Sequence, residues 1–213
     1  AAPVVVEKHE WQLPESIFGP RAKESDSRTF WDTQKTKARC LETDWARLLK
    51  EQRFWKFIEK NDDDIKSSGQ DASAELNEIK AVFVKRYGTF LRVFDYYCLI
   101  GGTVGKAAFA ISENAYMQLI KETNMPDEHL TVEECSKIFI VVNFEEDKKS
   151  AQSIVNEDKA LMRFELLECI VRIATEKFCA AAIARGEEPD ISDAVERLCV
   201  EHLDEGPDCG ISP

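Results

Sequence analysis

The sequence predicts a mainly α-helical protein with two short paired strands, an extended N-terminal arm and flanking helices. Three observations predict it. First, apolar residues recur at steps of three and four through most of the chain, the period of a helix with one buried face. Second, two short apolar stretches, AAFAI (107–111) and LMRF (161–164), each sit between one helical pattern and the next, the place of a short strand. Third, residues 1–34 mix Pro3, Pro14, Gly19 and Pro20 with Trp11, Phe18, Phe30 and Trp31. Prolines at that density prevent a long helix, while the large apolar side chains are poorly suited to water. The segment reads as an arm lying on a surface, either its own core or a partner.

Segment boundaries follow from these patterns: an apolar and basic arm over 1–34, an amphipathic helix within 35–65, a helical module over 72–184, a C-terminal helix over 190–204 and a tail over 205–213. The first helix is expected over Thr36–Lys60, with Leu41, Trp45, Leu48, Leu49 and Phe57 on one stripe and Phe54 and Trp55 widening it. A second runs from about Ser73 to Leu99 and carries Leu76, Ile79, Phe83, Tyr87, Phe90, Phe94 and Tyr97 at helical spacing. A third covers Glu113–Glu122. Thr131 and Glu134 form a Thr-x-x-Glu capping box that opens a helix to about Val142. Residues 143–160 are polar and acidic and read as a loop. A long helix follows, with Phe164, Leu167, Ile170, Val171, Ala174 and Phe178 on one face and Glu168–Arg172 as an i, i+4 pair. Asp190 or Ser192 caps the last helix, which carries Val195, Leu198, Cys199 and His202 or Leu203.

Composition narrows the function. A net charge of −12 speaks against nucleic acid and anionic membranes as partners. Basic residues gather between Arg21 and Lys60, a front that suits an acidic protein surface or simply a solvated helix face. Seven cysteines without a CxxC give no disulfide framework or metal site. His9, His129 and His202 stand apart from one another and from any nucleophile, and read as surface or cap residues. No secretory h-region or membrane span is predicted, so the expected location is cytoplasmic. No catalytic constellation stands out. The one thiol worth weighing is Cys98, expected to be exposed at a helix end, where partial negative charge raises a thiol pKa and disfavours a nucleophile.

The stretch CLIGGTVGKAAFAIS (98–112) tempts a nucleotide reading and fails it. A phosphate loop of the form G-x-x-x-x-G-K-[ST] needs one more residue between Gly101 and Gly105, and Lys106 is followed by Ala107. The loop also leaves a helix for a strand, the reverse of what phosphate binding at a helix start requires.

Helix, loop, short strand, helix then occurs twice, with ALMRFELLECI opening the second exit helix. Over roughly residues 73–184 this resembles a paired EF-hand of the calmodulin-like fold. The resemblance implies two loops whose strands pair, but the ligand frame is broken. No carboxylate lies between Asp95 and Glu113. With Met162 as the strand position of the second loop, position one falls on Val155 and position twelve on Leu166, and no glycine occurs from 143 to 165. The expectation is a pair of hands without calcium, and no cofactor. Weak cation binding by the 143–160 loop is the alternative.

A further resemblance concerns location. SIFGPR (16–21), DSRTFWDT (26–33), the Asp44-Trp45 pair and MRFELLE (162–168) are similar to segments of small ciliary proteins of protists that line axonemal microtubules. That resemblance implies a non-enzymatic, calcium-independent structural protein of the cilium or flagellum axoneme, with tubulin and neighbouring axonemal proteins as partners. Trp11, Phe18, Arg21, Lys23, Phe30 and Trp31 are the candidate contacts, unless the aromatics staple the arm to its own core. A calcium-responsive EF-hand adaptor is the competing function.

Overall fold

In a computed structural model of the chain the described residues are 33–61, 72–100, 110–144, 160–187 and 189–204. The chain divides into a unit Ala1–Arg39 and a larger unit Cys40–Pro213. The described part is mainly helical: α1 (Gln34–Leu48), α2 (Gln52–Asn61), α3 (Ser73–Ile100), β1 (Ile111–Ser112), α4 (Glu113–Glu122), α5 (Val132–Asn143), β2 (Ala160–Leu161) and α6 (Arg163–Ala174). From α6 the helix continues through a π-helical stretch, Thr175–Cys179, into α7 (Ala180–Arg185). After Pro189, α8 (Ile191–Leu198) likewise runs on through a π-helical stretch, Cys199–Leu203. Among the described residues no helix is long and apolar enough to cross a membrane.

The helix–strand–helix order recurs, α3–β1–α4 and α5–β2–α6, and the two strands pair antiparallel. Ile111 lies opposite Leu161 and Ser112 opposite Ala160. Asn143 at the end of α5 donates from Nδ2 to the Ala160 carbonyl at 3.0 Å, fastening the second strand to its own entry helix. Each exit helix starts directly after its strand, but with different chemistry. The Ser112 side chain caps α4 by accepting from Ala115 N at 3.3 Å. Met162, at the same place before α6, has no cap oxygen. There Glu165 reaches back, and its Oε2 accepts from Met162 N at 2.7 Å. The expected capping box of α5 is formed: Thr131 Oγ1 accepts from Glu134 N at 3.2 Å, and Glu134 accepts from Thr131 N at 2.6 Å.

The helix α3 is the spine. All seven residues of its expected stripe, Leu76 to Tyr97, are buried, and α8, α4 and α6 pack on it. Phe83 stands at the centre, edge-to-face with Trp45 of α1 at 5.8 Å and with Phe90 at 5.2 Å. Each such fully buried ring contributes about 1.5–3 kcal/mol from burial alone, and aromatic geometry adds to it. On α6 and its π-helical continuation Phe164, Leu167, Ile170, Val171, Ala174 and Phe178 are buried as the periodicity requires.

Two expectations need correction. The helix expected over Thr36–Lys60 is two helices, broken by a turn at Leu49–Lys50. The buried residues are Leu41, Trp45 and Leu48, then Phe54 and Ile58. The gap of six between Leu48 and Phe54 does not fit one helical stripe, and turning the chain brings both stripes inward. Trp55 seals the turn by donating from Nε1 to the Leu49 carbonyl at 2.8 Å, and Phe57 is left half-buried. The second strand is Ala160–Leu161 and not LMRF, because the backbone is already helical from Arg163.

Replacing Phe83 with alanine removes the ring that joins α1 to α3. The expected loss is about 3–5 kcal/mol in chemical denaturation, with an unchanged denaturant slope.

Candidate functional site

The strand register resets the loop frame. Ile111 lies opposite Leu161 and Met162 falls outside the strand, so a count on the expected EF-hand frame starts from Leu161 and not Met162. The twelfth position moves from Leu166 to Glu165, and the first from Val155 to Ile154. On that expected frame Glu165 stands where a calcium loop would need a carboxylate. It is, however, 1% exposed and accepts from Met162 N, serving as a cap. In the first loop the same position is Ala115, which offers no oxygen from its side chain. The ligand positions ahead of both strands, within 101–109 and 145–159, lie outside the described residues.

The expected partner contacts Trp11, Phe18, Arg21, Lys23, Phe30 and Trp31 also lie outside the described residues. The other two resemblance motifs are described, and both are structural. Asp44 is 2% exposed and holds a buried cluster: it accepts from the Tyr87 hydroxyl of α3 and from Arg163 Nε, with a further bond from Arg163 Nη2 at 3.1 Å. Burial and the Asp44 carboxylate push the Tyr87 hydroxyl pKa well up, keeping it a donor. Thus Asp44-Trp45 and MRFELLE, far apart in sequence, meet through one carboxylate. Glu168 of the second motif is fully buried too. It accepts from Arg53 Nε of α2 at 3.2 Å and from Arg172, whose Nη2 lies at 2.8 Å. The Arg172 guanidinium also lies 4.3 Å from the centre of the Phe57 ring.

The π-helical stretches carry a second set of polar contacts that periodicity did not reveal. Lys177 is buried, and its Nζ donates to the Met125 carbonyl at 2.8 Å and to the Asp127 carboxylate. Although burial pushes the Asp127 carboxyl up, the bonds from Lys177, His129 N and Leu130 N hold it below the usual range. His202, expected at the surface or as a cap, is half-buried and donates from Nδ1 to the Thr123 carbonyl at 2.8 Å. Both contacts fall on the short connection between α4 and α5. A π-helical turn shifts side-chain phase, so it aims a residue where the α-helical period would not.

Carboxylates converge in one place among the described residues: Glu75, Glu78 and Asp190, with candidate ligand atoms within 4.8 Å of one another. Two of them are engaged at the start of α8. Asp190 Oδ1 accepts from Asp193 N at 2.8 Å, and Glu75 Oε1 accepts from Ser192 N at 2.8 Å. Asp190 and Glu75 together form a helix cap shared between α3 and α8. Neither does the thiol chemistry favour catalysis. Cys98, expected to be exposed, is buried, and burial together with the Asp95 carboxylate pushes its thiol up to about 12. Burial likewise raises Cys135 to about 11 and Cys199 to about 12.

Exposed apolar side chains gather at the ends of the two entry helices. Leu99 is 82% exposed and Ile100 lies beside it at the end of α3, while Ile140, Val141 and Phe144 are exposed at the end of α5. Comparison with known protein families, with curated proteins and with solved structures returns no match.

The acid limb of stability has an identifiable contributor. Hydrogen bonds from Arg86 and Lys85 lower the Glu196 carboxyl from 4.5 to about 2. A depressed folded pKa means that its stabilisation is present above about 4.5 and is lost as pH falls towards 2. Glu196→Gln is expected to flatten the fall of thermal midpoint between pH 5 and pH 2 by a measurable fraction, with little change in slope above pH 6.

Proposed function

We propose that this protein is a non-enzymatic structural or interaction protein, built on a metal-free EF-hand-like pair, that associates with axonemal microtubules through its arm and its helical module. The observation that carries the module reading is the antiparallel pairing of Ile111 with Leu161 between two helix–strand–helix halves. Metal independence is supported by Ala115 at the twelfth position of one half and by the use of Glu165 as a backbone cap in the other. The raised pKa of the buried thiols of Cys98, Cys135 and Cys199 supports a non-catalytic role. The apolar ends of α3 and α5 provide module surface for a protein contact. The cilium or flagellum axoneme, tubulin and the contact residues Trp11, Phe18, Arg21, Lys23, Phe30 and Trp31 rest on the resemblance of the arm segments and motifs to lumen-lining ciliary proteins.

Co-sedimentation tests the filament reading. The full chain is expected to pellet with taxol-stabilised microtubules, and the full chain with Phe18, Phe30 and Trp31 changed to alanine is expected to lose most of that binding. Pelleting of both forms at the background level removes the microtubule assignment.

A calcium-responsive adaptor is the second reading, and Glu165 at the twelfth position is the residue that favours it. Calorimetry separates the two. A calcium titration of the full chain is expected to stay flat to millimolar concentration, whereas micromolar uptake abolished by Glu165→Gln establishes the adaptor.

A further inference from the structure

We propose that Asp44 of α1 is a built-in clamp between the two halves: it locks the exit helix of the second half to the entry helix of the first. The proposal rests on the reading of the halves as metal-free hands and adds what holds them in one arrangement.

Three observations carry it. Asp44 is almost fully buried, and its carboxylate bonds at once to Tyr87, midway along α3, and to Arg163, the first residue of α6. Arg163 follows β2 by two positions, so the bond acts where strand gives way to exit helix. That junction is where a metal-bound loop would use its twelfth-position carboxylate, and here Glu165 is committed to Met162 N instead. A buried anion shared by a hydroxyl and a guanidinium favours one geometry, because any displacement leaves charge or donor unpaired in a low-dielectric site. The element carrying the clamp, α1, lies outside both halves, so the lock is supplied in cis by a flanking helix.

Hydrogen–deuterium exchange on the full-length chain tests this. Asp44→Asn keeps the volume and removes the charge that Arg163 reads. The expected result is exchange faster by about tenfold or more in peptides covering 111–115 and 160–166, while peptides in α8, which packs on α3 and α6 but makes no hydrogen bond to Asp44, keep their protection. Far-ultraviolet dichroism is expected to remain native. A uniform rise across all peptides, or no rise at the strand pair, overturns the clamp. Should D44N not fold, Y87F and R163K, each made alone, carry the same criterion: the two peptides must respond more than α8. The outcomes for clamp and metal-free reading separate cleanly. Calcium uptake by the unaltered chain ends the metal-free reading, while a uniform exchange response in D44N ends the clamp alone.

Discussion

A carboxylate removed from water must meet cations or hydrogen-bond donors, and this constraint decides where α1 and α2 lie against the rest of the larger unit. Asp44 and Glu168 are buried anions from different elements, and each is matched by arginine. Pairing of this kind adds little net stability over a well-packed apolar contact, but it penalises alternatives strongly, since losing one partner strands a charge. The apolar contacts of Leu41, Trp45, Leu48, Phe54 and Ile58 supply area. The ion pairs supply the particular seat, because an apolar stripe can slide along a helix at modest cost and a buried bidentate pair cannot.

The same logic operates at the connection between the two halves. Lys177 and His202 enter from separate π-helical stretches and bond to backbone carbonyls and a carboxylate within Thr123–Asp127. The connection is thus held from two helices that are themselves packed together by α6 and α8. A helix that departs from its regular ladder gives up some hydrogen-bond quality, and here each departure coincides with the placement of a hydrogen-bond donor, Lys177 or His202, on the connection. With Asp44 at the strand end and Lys177 and His202 at the connection, both joints of the pair are held by groups within the chain.

Much of the architecture was legible along the chain. The spine helix α3 follows from seven apolar residues at helical spacing, the start of α5 from Thr131 and Glu134, and the start of α8 from Asp190 or Ser192 after Pro189, of which Asp190 is the cap. In each, the determining interactions lie within a few residues of one another. The turn between α1 and α2 was not legible, because Leu41 to Phe57 can be drawn as one broad apolar face. Only the tertiary contacts of α2, with Phe54 edge-to-face on Trp45 and Arg53 on Glu168, show that Phe54 and Ile58, and not Phe57, turn inward. The strand register missed by one residue for a similar reason. Leu161 and Met162 are both apolar, and a two-residue strand has no alternation from which to read its phase.

The candidate site divides along the same line. The amino-acid sequence by itself determined the helical class, the repeated helix–strand–helix order, the caps and the lack of a carboxylate between Asp95 and Glu113, since all of these are written in local spacing. Tertiary structure alone decided that Glu165 is buried and serves as a cap, that Cys98 is buried, and that Asp44 joins Tyr87 to Arg163. The physical reason is that burial and charge pairing between residues far apart in the chain depend on which surfaces meet, and no local period encodes that.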